Sequence, residues 1–290
     1  TDYSGPVNDR ACLHIDNCYY IPNLQLISHR CKTNTQSATA FRGFGGPQGM
    51  FGIETVIEQI ANTLGKDPLD VRKLNMYQDP AISGNPATMT TQYNQLIEDW
   101  VGDQVVNQVE AQAKYRERRA SVNAFNQAHT KRKRGLALVP LKFGISFTAT
   151  MLNQGGALLN IYMDGSISVN HGGTEMGQGL NTKMAQVCAD GLGVSLQYVR
   201  VTGTDTQKVP NASATSASSG ADINGAAIMN ATAQMRERLK PVAARMLDCD
   251  ANDVTFADSQ AHGGGKSVAW SALAKQAWLD RVGLSVTGFY

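Results

Sequence analysis

The dipeptide Asp164-Gly165 lies between two alternating runs, residues 157–163 and 166–170. An Asp-Gly placed in that way is a strong local signal for a β-hairpin. An antiparallel pair at this point rules out an all-helical chain, so the segments around it must add to a sheet or pack against one. Residues 136–141, 145–152, 199–202 and 254–257 read as further strands. Among them, 180–192 predicts a helix stopped by Gly193, and 221–246 a long helix that carries Pro241 as a kink or break. A glycine turn at 263–265 and a short helix over 271–279 follow. The expected class is α+β, with mixed or antiparallel sheets and packed helices.

The first part of the chain reads differently. Residues 11–26 predict a short helix, a turn and an extended segment. Pro47 suits a first helical turn, Met50, Ile53, Val56, Ile57 and Ile60 form an apolar stripe, and Gly65 supplies a C-cap, so 47–64 predicts a helix. Asp67-Pro68 opens a second, short helix expected to pack through Leu69, Val71 and Leu74, and 78–91 is a polar loop. Leu96, Trp100, Val101, Val105 and Val109 predict one or two amphipathic helices within 93–127. The change in character at Gly135 divides a mainly helical part, 1–134, from an α+β part, 135–290.

Several function classes are set aside by composition. The 290 residues carry 26 Lys and Arg against 24 Asp and Glu, a net charge of +2, which is too little field for generic nucleic-acid or membrane-surface binding. The run Lys131-Arg132-Lys133-Arg134 is expected to be a solvated basic corner. No apolar stretch approaches the roughly 20 residues of a membrane span, and no signal-peptide pattern is present. Five cysteines without a CxxC pair argue against a disulfide framework and for a reducing, cytoplasmic setting. Cys12, His14, Cys18, His29 and Cys31 fit no zinc-ribbon or finger spacing, so buried thiols and structural histidines are expected there.

Three stretches are rich in glycine or small residues and each leads into a predicted helix. They are Ala40-Phe41-Arg42-Gly43-Phe44-Gly45-Gly46-Pro47-Gln48-Gly49, His171-Gly172-Gly173-Thr174-Glu175-Met176-Gly177-Gln178-Gly179, and Asn211-Ala212-Ser213-Ala214-Thr215-Ser216-Ala217-Ser218-Ser219-Gly220. Unpaired N–H groups and the helix dipole at such starts favour a phosphate or another anion. Known nucleotide motifs fail: the dinucleotide fingerprint needs glycine where Thr182 stands, and the phosphate-loop pattern needs lysine where Gln178 stands. An extended, phosphate-bearing ligand other than NAD or ATP is what three such starts suit.

Residues 40–50, the string Lys142-Phe143-Gly144-Ile145-Ser146-Phe147-Thr148 and residues 172–184 together closely resemble the molybdenum hydroxylases, in the molybdopterin-binding region of the xanthine dehydrogenase branch. The resemblance spans essentially the whole chain and implies an interior portion, with family sequence on both sides. It implies that the 40–49 loop lies over a molybdenum centre, with the Arg42 backbone close to the metal and Gly43 beside the cofactor. It also implies a purine slot in which Phe44 stacks and Phe147 meets the substrate edge-on, both favourable aromatic geometries, with Thr148 hydrogen-bonding at the rim. Gly177, Gln178 and Gly179 would bind the pterin and its phosphate, while Ala217 and Ser218 would lie beside the metal and pterin. Arg10 falls where the purine-oxidising members carry an arginine facing the substrate, and a fixed guanidinium there can stabilise charge developing on a purine oxygen. The competing expectation is a surface arginine paired with Asp9 or Asp16.

The implied reaction is hydroxylation of an electron-poor carbon, hypoxanthine or xanthine to urate, with oxygen taken from water. The family's catalytic base is a glutamate in a Gly-Glu-Pro context, and these 290 residues contain no such tripeptide. Glu175, in the pterin loop, is expected to be structural. Iron–sulfur clusters and FAD are expected elsewhere in the parent enzyme, so the remaining domains or subunits are its partners and this chain alone should not turn over. Aldehyde oxidation, hydroxylation of another azaheterocycle, and a cofactor-binding module without catalysis are the alternatives.

Overall fold

Helix α1 (Ser4–Leu13) takes Gly5 and Pro6 into its first turn. Pro6 is tolerated there because first-turn amides have no intrahelical partner. The helix therefore starts earlier than the 11–26 segment predicted for it, and residues 14–18 form the turn instead. This computed structural model describes residues 2–37, 39–209 and 212–290. Asn211, the first residue of the third small-residue stretch, lies outside them.

The chain divides into two compact units, the first ending at Gly144 and the second running from Ile145 to Tyr290. In the first, α2 (Gly46–Leu64) ends on Gly65 in the left-handed region, and α3 (Pro68–Asn75) is capped by Asp67, whose carboxylate accepts the Leu69 N–H at 2.8 Å. A short α4 (Pro80–Ser83) and a 3-10 turn at Pro86–Met89 break the loop expected over 78–91, each opened by an Asx cap, Asp79 and Asn85. Helices α5 (Gly102–Gln112) and α6 (Tyr115–Ala128) complete the unit. Its core gathers Tyr19, Ile57, Ala61, Leu69, Val71, Met76, Val106 and Tyr115.

Two predicted stripes are displaced. On α2 the buried face runs through Met50, Ile57 and Ala61, while Val56 and Ile60 are exposed; Leu74 on α3 is exposed as well. On α5 it is Val106 that enters the core, while Val105 and Val109 face outward, Val101 is the N-cap residue, and Leu96 and Trp100 precede the helix. Apolar periodicity marks the helix but not which side its neighbours cover.

Residues 136–144 form no strand. Their backbone is satisfied by side chains of the same unit: Arg119 donates to Leu136 O (2.7 Å), and Asn17 bonds both Pro140 O (2.9 Å) and Lys142 N (3.1 Å). These bonds carry the first unit ten residues beyond the compositional change at Gly135.

In the second unit β1 (Gly156–Ile161) and β2 (Ile167–His171) form the expected hairpin, pairing Ile161 with Ile167 across a turn in which Gly165 takes φ 88°. Then come α7 (Leu180–Leu192), β3 (Val199–Val201), α8 (Gly220–Leu247), β4 (Thr255–Ala257), β5 (Gln260–Gly263), β6 (Lys266–Ala269), α9 (Trp270–Leu279) and β7 (Ser285–Phe289). The main sheet has the order β3-β2-β1-β7, mixed because only β2 and β3 are parallel, and β4-β5-β6 form a second, antiparallel sheet. Pro241 lies inside α8 without ending it.

Leu159 and Val169 of the sheet and Ala227, Ile228, Ala231 and Met235 of α8 are completely buried in the core. A large apolar side chain so placed contributes about 1.5–3 kcal/mol relative to exposure. Trp270 donates its indole N–H to Gly165 O at 2.8 Å, tying α9 to the hairpin turn. Residues 145–152, expected as a strand, instead turn and end in a 3-10 turn at Thr150–Leu152. The Asn153 carboxamide explains this by bonding both the N–H and the C=O of Phe147, each at 2.9 Å, where a strand partner would have been.

Candidate functional site

Within the first unit the 40–49 loop enters α2 through three consecutive left-handed residues, Gly43 (φ 96°), Phe44 (φ 51°) and Gly45 (φ 103°). A Cβ on Gly45 would come within 1.9 Å of Val7 O, so only glycine lets the loop lie flush on α1. An aromatic residue in this region is uncommon and costs on the order of 1–2 kcal/mol, a strain that recurs at ligand-binding positions. Phe44 is half-buried, with its ring 6.1 Å from that of Tyr3. Arg42 is exposed, and among the described residues the amides of Arg42 and Gly43 have no hydrogen-bond acceptor.

Arg10 stands on the same helix that supports this loop. It is buried, donates from Nη1 to Gly144 O at 2.6 Å, and holds its guanidinium carbon 5.6 Å from the centre of the Phe143 ring. Asp9 pairs with Arg30, and Asp16 with Lys142 (2.7 Å) and the Tyr77 hydroxyl. The alternative of a surface arginine held by Asp9 or Asp16 is thereby overturned: the carboxylates have other cations, and Arg10 turns inward. Burial lowers its pKa from the ordinary arginine value. His14, grouped by sequence with nearby cysteines, has both ring nitrogens engaged by backbone, one near Arg10 O and one accepting from Gly144 N (2.9 Å each).

Within the second unit three segments are joined by hydrogen bonds. Ser146 N donates to Ala217 O (2.8 Å), linking the Phe147-Thr148 segment to the third loop, and Thr174 N donates to Thr215 Oγ1 (2.8 Å), linking the second loop to the third. Phe147 is half-buried and Thr148 exposed. Ser146 (φ 78°), Ala217 (φ 56°) and Ser218 (φ 57°) are all left-handed, so strained non-glycine backbone gathers here as it does at Phe44. Among the described residues the amides of Ala217 and Ser218 have no acceptor.

The start of α7 corrects one expectation. Its amides are not waiting for an anion, because Glu175 supplies one: Oε1 accepts from Gly177 N (2.9 Å) and Gly179 N (3.1 Å), and Oε2 from Asn181 N (2.9 Å). These bonds, the Asn181 amide foremost, hold the Glu175 carboxyl below its usual pKa. Gln178 donates from Nε2 to Thr174 O at 2.9 Å, while positions beside Gly177 and Gly179 are open, with no atom within 4 Å of where a Cβ would stand. His171 holds the other end of the loop, accepting from Gly173 N (3.1 Å) and reaching Asn181 Oδ1 (3.0 Å). His14 is the structural histidine expected from the sequence, but its partners, and those of His171, were not foreseen, since a histidine that satisfies backbone groups leaves no periodic signature.

Unpaired loop amides, open space beside two glycines and localised backbone strain fit a polar, phosphate-bearing group. A family model described as molybdopterin cofactor-binding domain matches residues 108–290, and a second of the same description matches 1–76. The chain belongs to the molybdopterin cofactor-binding domain family. Xanthine dehydrogenases of Drosophila subobscura and Emericella nidulans are 43% and 45% identical to it over 289 residues, all of this chain and 20% and 19% of theirs. The nicotinate hydroxylase of Emericella nidulans is 44% identical over 291 residues, 20% of its length. This molybdopterin-binding chain thus spans about a fifth of the curated relatives it matches. Among solved structures, quinoline 2-oxidoreductase from Pseudomonas putida 86 superimposes with a TM-score of 0.78 at 23% identity, covering 98% of this chain and 37% of that one, which establishes a shared fold.

Proposed function

We propose that this chain supplies substrate and cofactor contacts to a cytoplasmic molybdenum hydroxylase that oxidises hypoxanthine or xanthine to urate in purine breakdown, with water as the oxygen source. The observation that carries the reading is the Arg10 corner. A buried guanidinium held by a backbone carbonyl and an aromatic face is preorganised, so its fixed positive charge can stabilise charge developing on a purine oxygen without first rearranging. The xanthine dehydrogenases among the relatives support the same substrate class.

When bound, the molybdenum cofactor supplies oxygen-transfer and two-electron redox chemistry. Arg42 and Gly43 would hold it through their amides, Gly177, Gln178 and Gly179 would bind on the pterin side, and Ala217 and Ser218 would contribute their amides. Phe44 offers a ring face and Phe147 an edge to a flat heteroaromatic substrate, and Thr148 a hydroxyl. No residue of this chain is assigned as the catalytic base; that glutamate, the iron–sulfur clusters and FAD belong to other parts of the parent enzyme.

The test is urate formation from xanthine by the full-length parent, followed by ultraviolet absorbance, with an aromatic aldehyde in parallel. Arg10→Met is expected to lower kcat/KM for xanthine on the order of a hundredfold, the usual loss for one removed transition-state donor, and to leave the aldehyde within a few-fold. Equal losses on both substrates overturn the role of Arg10. A second reading follows from the nicotinate hydroxylase, whose 44% identity lies between the 43% and 45% of the two xanthine dehydrogenases: nicotinate oxidation without urate would make the substrate another azaheterocycle. Aldehyde turnover alone would indicate an aldehyde oxidase, and inactivity on all three a non-catalytic cofactor-binding module.

A further inference from the structure

Three hydrogen bonds close a ring at the foot of α1. Arg10 Nη1 donates to Gly144 O (2.6 Å), Gly144 N donates to His14 Nε2 (2.9 Å), and His14 Nδ1 lies 2.9 Å from Arg10 O. A backbone N–H can only donate, so Nε2 is the acceptor. The neutral imidazole then carries its proton on Nδ1 and donates it to the Arg10 carbonyl. One side chain thereby fixes Arg10 at both ends, its backbone directly and its head through Gly144. Phe143 fills the space beside them, its ring 4.8 Å from the His14 ring, and it sits so close to α2 that a Cβ on Gly46 would come within 2.6 Å of it. His14 is buried, and Arg10, Lys142 and Asp16 are the charged groups around it; burial chiefly, with the two cations, disfavours its protonation, against the opposing hydrogen bond to Arg10 O and the charge of Asp16.

We infer that His14 is a positioning residue that directs the Arg10 guanidinium toward a purine, and so sets the preference for purines over aldehydes. The inference rests on the role proposed above for Arg10. His14 exchanges no proton with substrate; it holds Gly144, and Gly144 holds the guanidinium. A histidine that merely filled the core would affect every substrate alike.

Two variants of the full-length enzyme separate these roles. His14→Phe keeps the ring against Phe143 and removes both hydrogen bonds, while His14→Gln keeps an acceptor for the Gly144 N–H. His14→Phe is expected to lower kcat/KM for xanthine by roughly tenfold to a hundredfold, mostly in kcat, with aldehyde turnover within about threefold and molybdenum content unchanged. His14→Gln recovers much of the loss. Because the effect passes through Arg10, His14→Phe added to Arg10→Met costs xanthine turnover nothing further. Equal losses on both substrates, no loss, or full additivity with Arg10→Met overturns the inference. If His14→Phe fails to accumulate, His14→Asn, which retains the donor to Arg10 O but cannot reach Gly144, takes its place with the same criteria. Should Arg10→Met itself treat both substrates alike, the reading of Arg10 falls; should it discriminate while the His14 variants do not, only the role of His14 falls.

Discussion

His14 bridges two backbone groups and His171 a backbone amide and the Asn181 side chain, and they use opposite tautomers. His171 accepts the Gly173 N–H at Nδ1, so its own proton sits on Nε2 and points to Asn181 Oδ1. Burial lowers both pKa values below 6.5 in the fold. The unfolded chain therefore binds protons first as the solution is acidified, so these sites leave stability intact above about 6.5 and erode it as pH falls from there through the folded values. The thermal midpoint should drop between pH 7.5 and 5.5, and drop less in His171→Gln, which itself costs about 1–3 kcal/mol through unsatisfied buried groups; an unchanged pH slope would remove His171 as its source. The structural part of Glu175 was legible in the sequence because its neighbouring string is distinctive. The tautomers were not, since which backbone group faces an imidazole depends on where distant segments come to rest.

Elements closed by local chemistry were the ones the sequence defined. The β1–β2 hairpin, α7 ending at Gly193 and α8 running through Pro241 each follow from a turn or cap a few residues long. Residues 136–152 alternate just as well yet form no strand, because alternation states that one face is apolar and not that a neighbouring strand is present. Strands β5, β6 and β7 went unread for the converse reason: they are short, β5 and β7 contain a glycine, and all three gain their state from pairing. Gly288 on β7 shows how close that packing is, since a Cβ there would lie 2.1 Å from Ala227 O and 2.6 Å from Ala231 N of α8. Gly288→Ala should destabilise the chain by about 1–3 kcal/mol, the usual cost of overpacking, in denaturant unfolding. A neutral result would mean that β7 can lift away from α8.

Over the whole molecule, each unit has its own apolar cluster, yet large apolar side chains remain outside both. Val56, Ile60 and Leu64 line one face of α2, and the N-cap residue Val101 with Val105 and Val109 of α5 follow one another at the same spacing. Exposed stripes of this kind favour association. Replacing Val56 and Ile60 together by Glu should reduce concentration-dependent light scattering of the isolated chain while leaving its thermal midpoint within about 0.5 kcal/mol of stability, as for surface substitutions; undiminished scattering would place the adhesive surface elsewhere. Among the described residues no helix is long and apolar enough to cross a membrane. The Glu175 carboxylate has a consequence for assembly. Because the chain's own anion draws in the amides at 177, 179 and 181, the entropy of shaping that loop is spent during folding, so under the role proposed for it the loop would be ready before a cofactor arrives. Loading would then be a docking event onto a preshaped loop rather than one coupled to its folding.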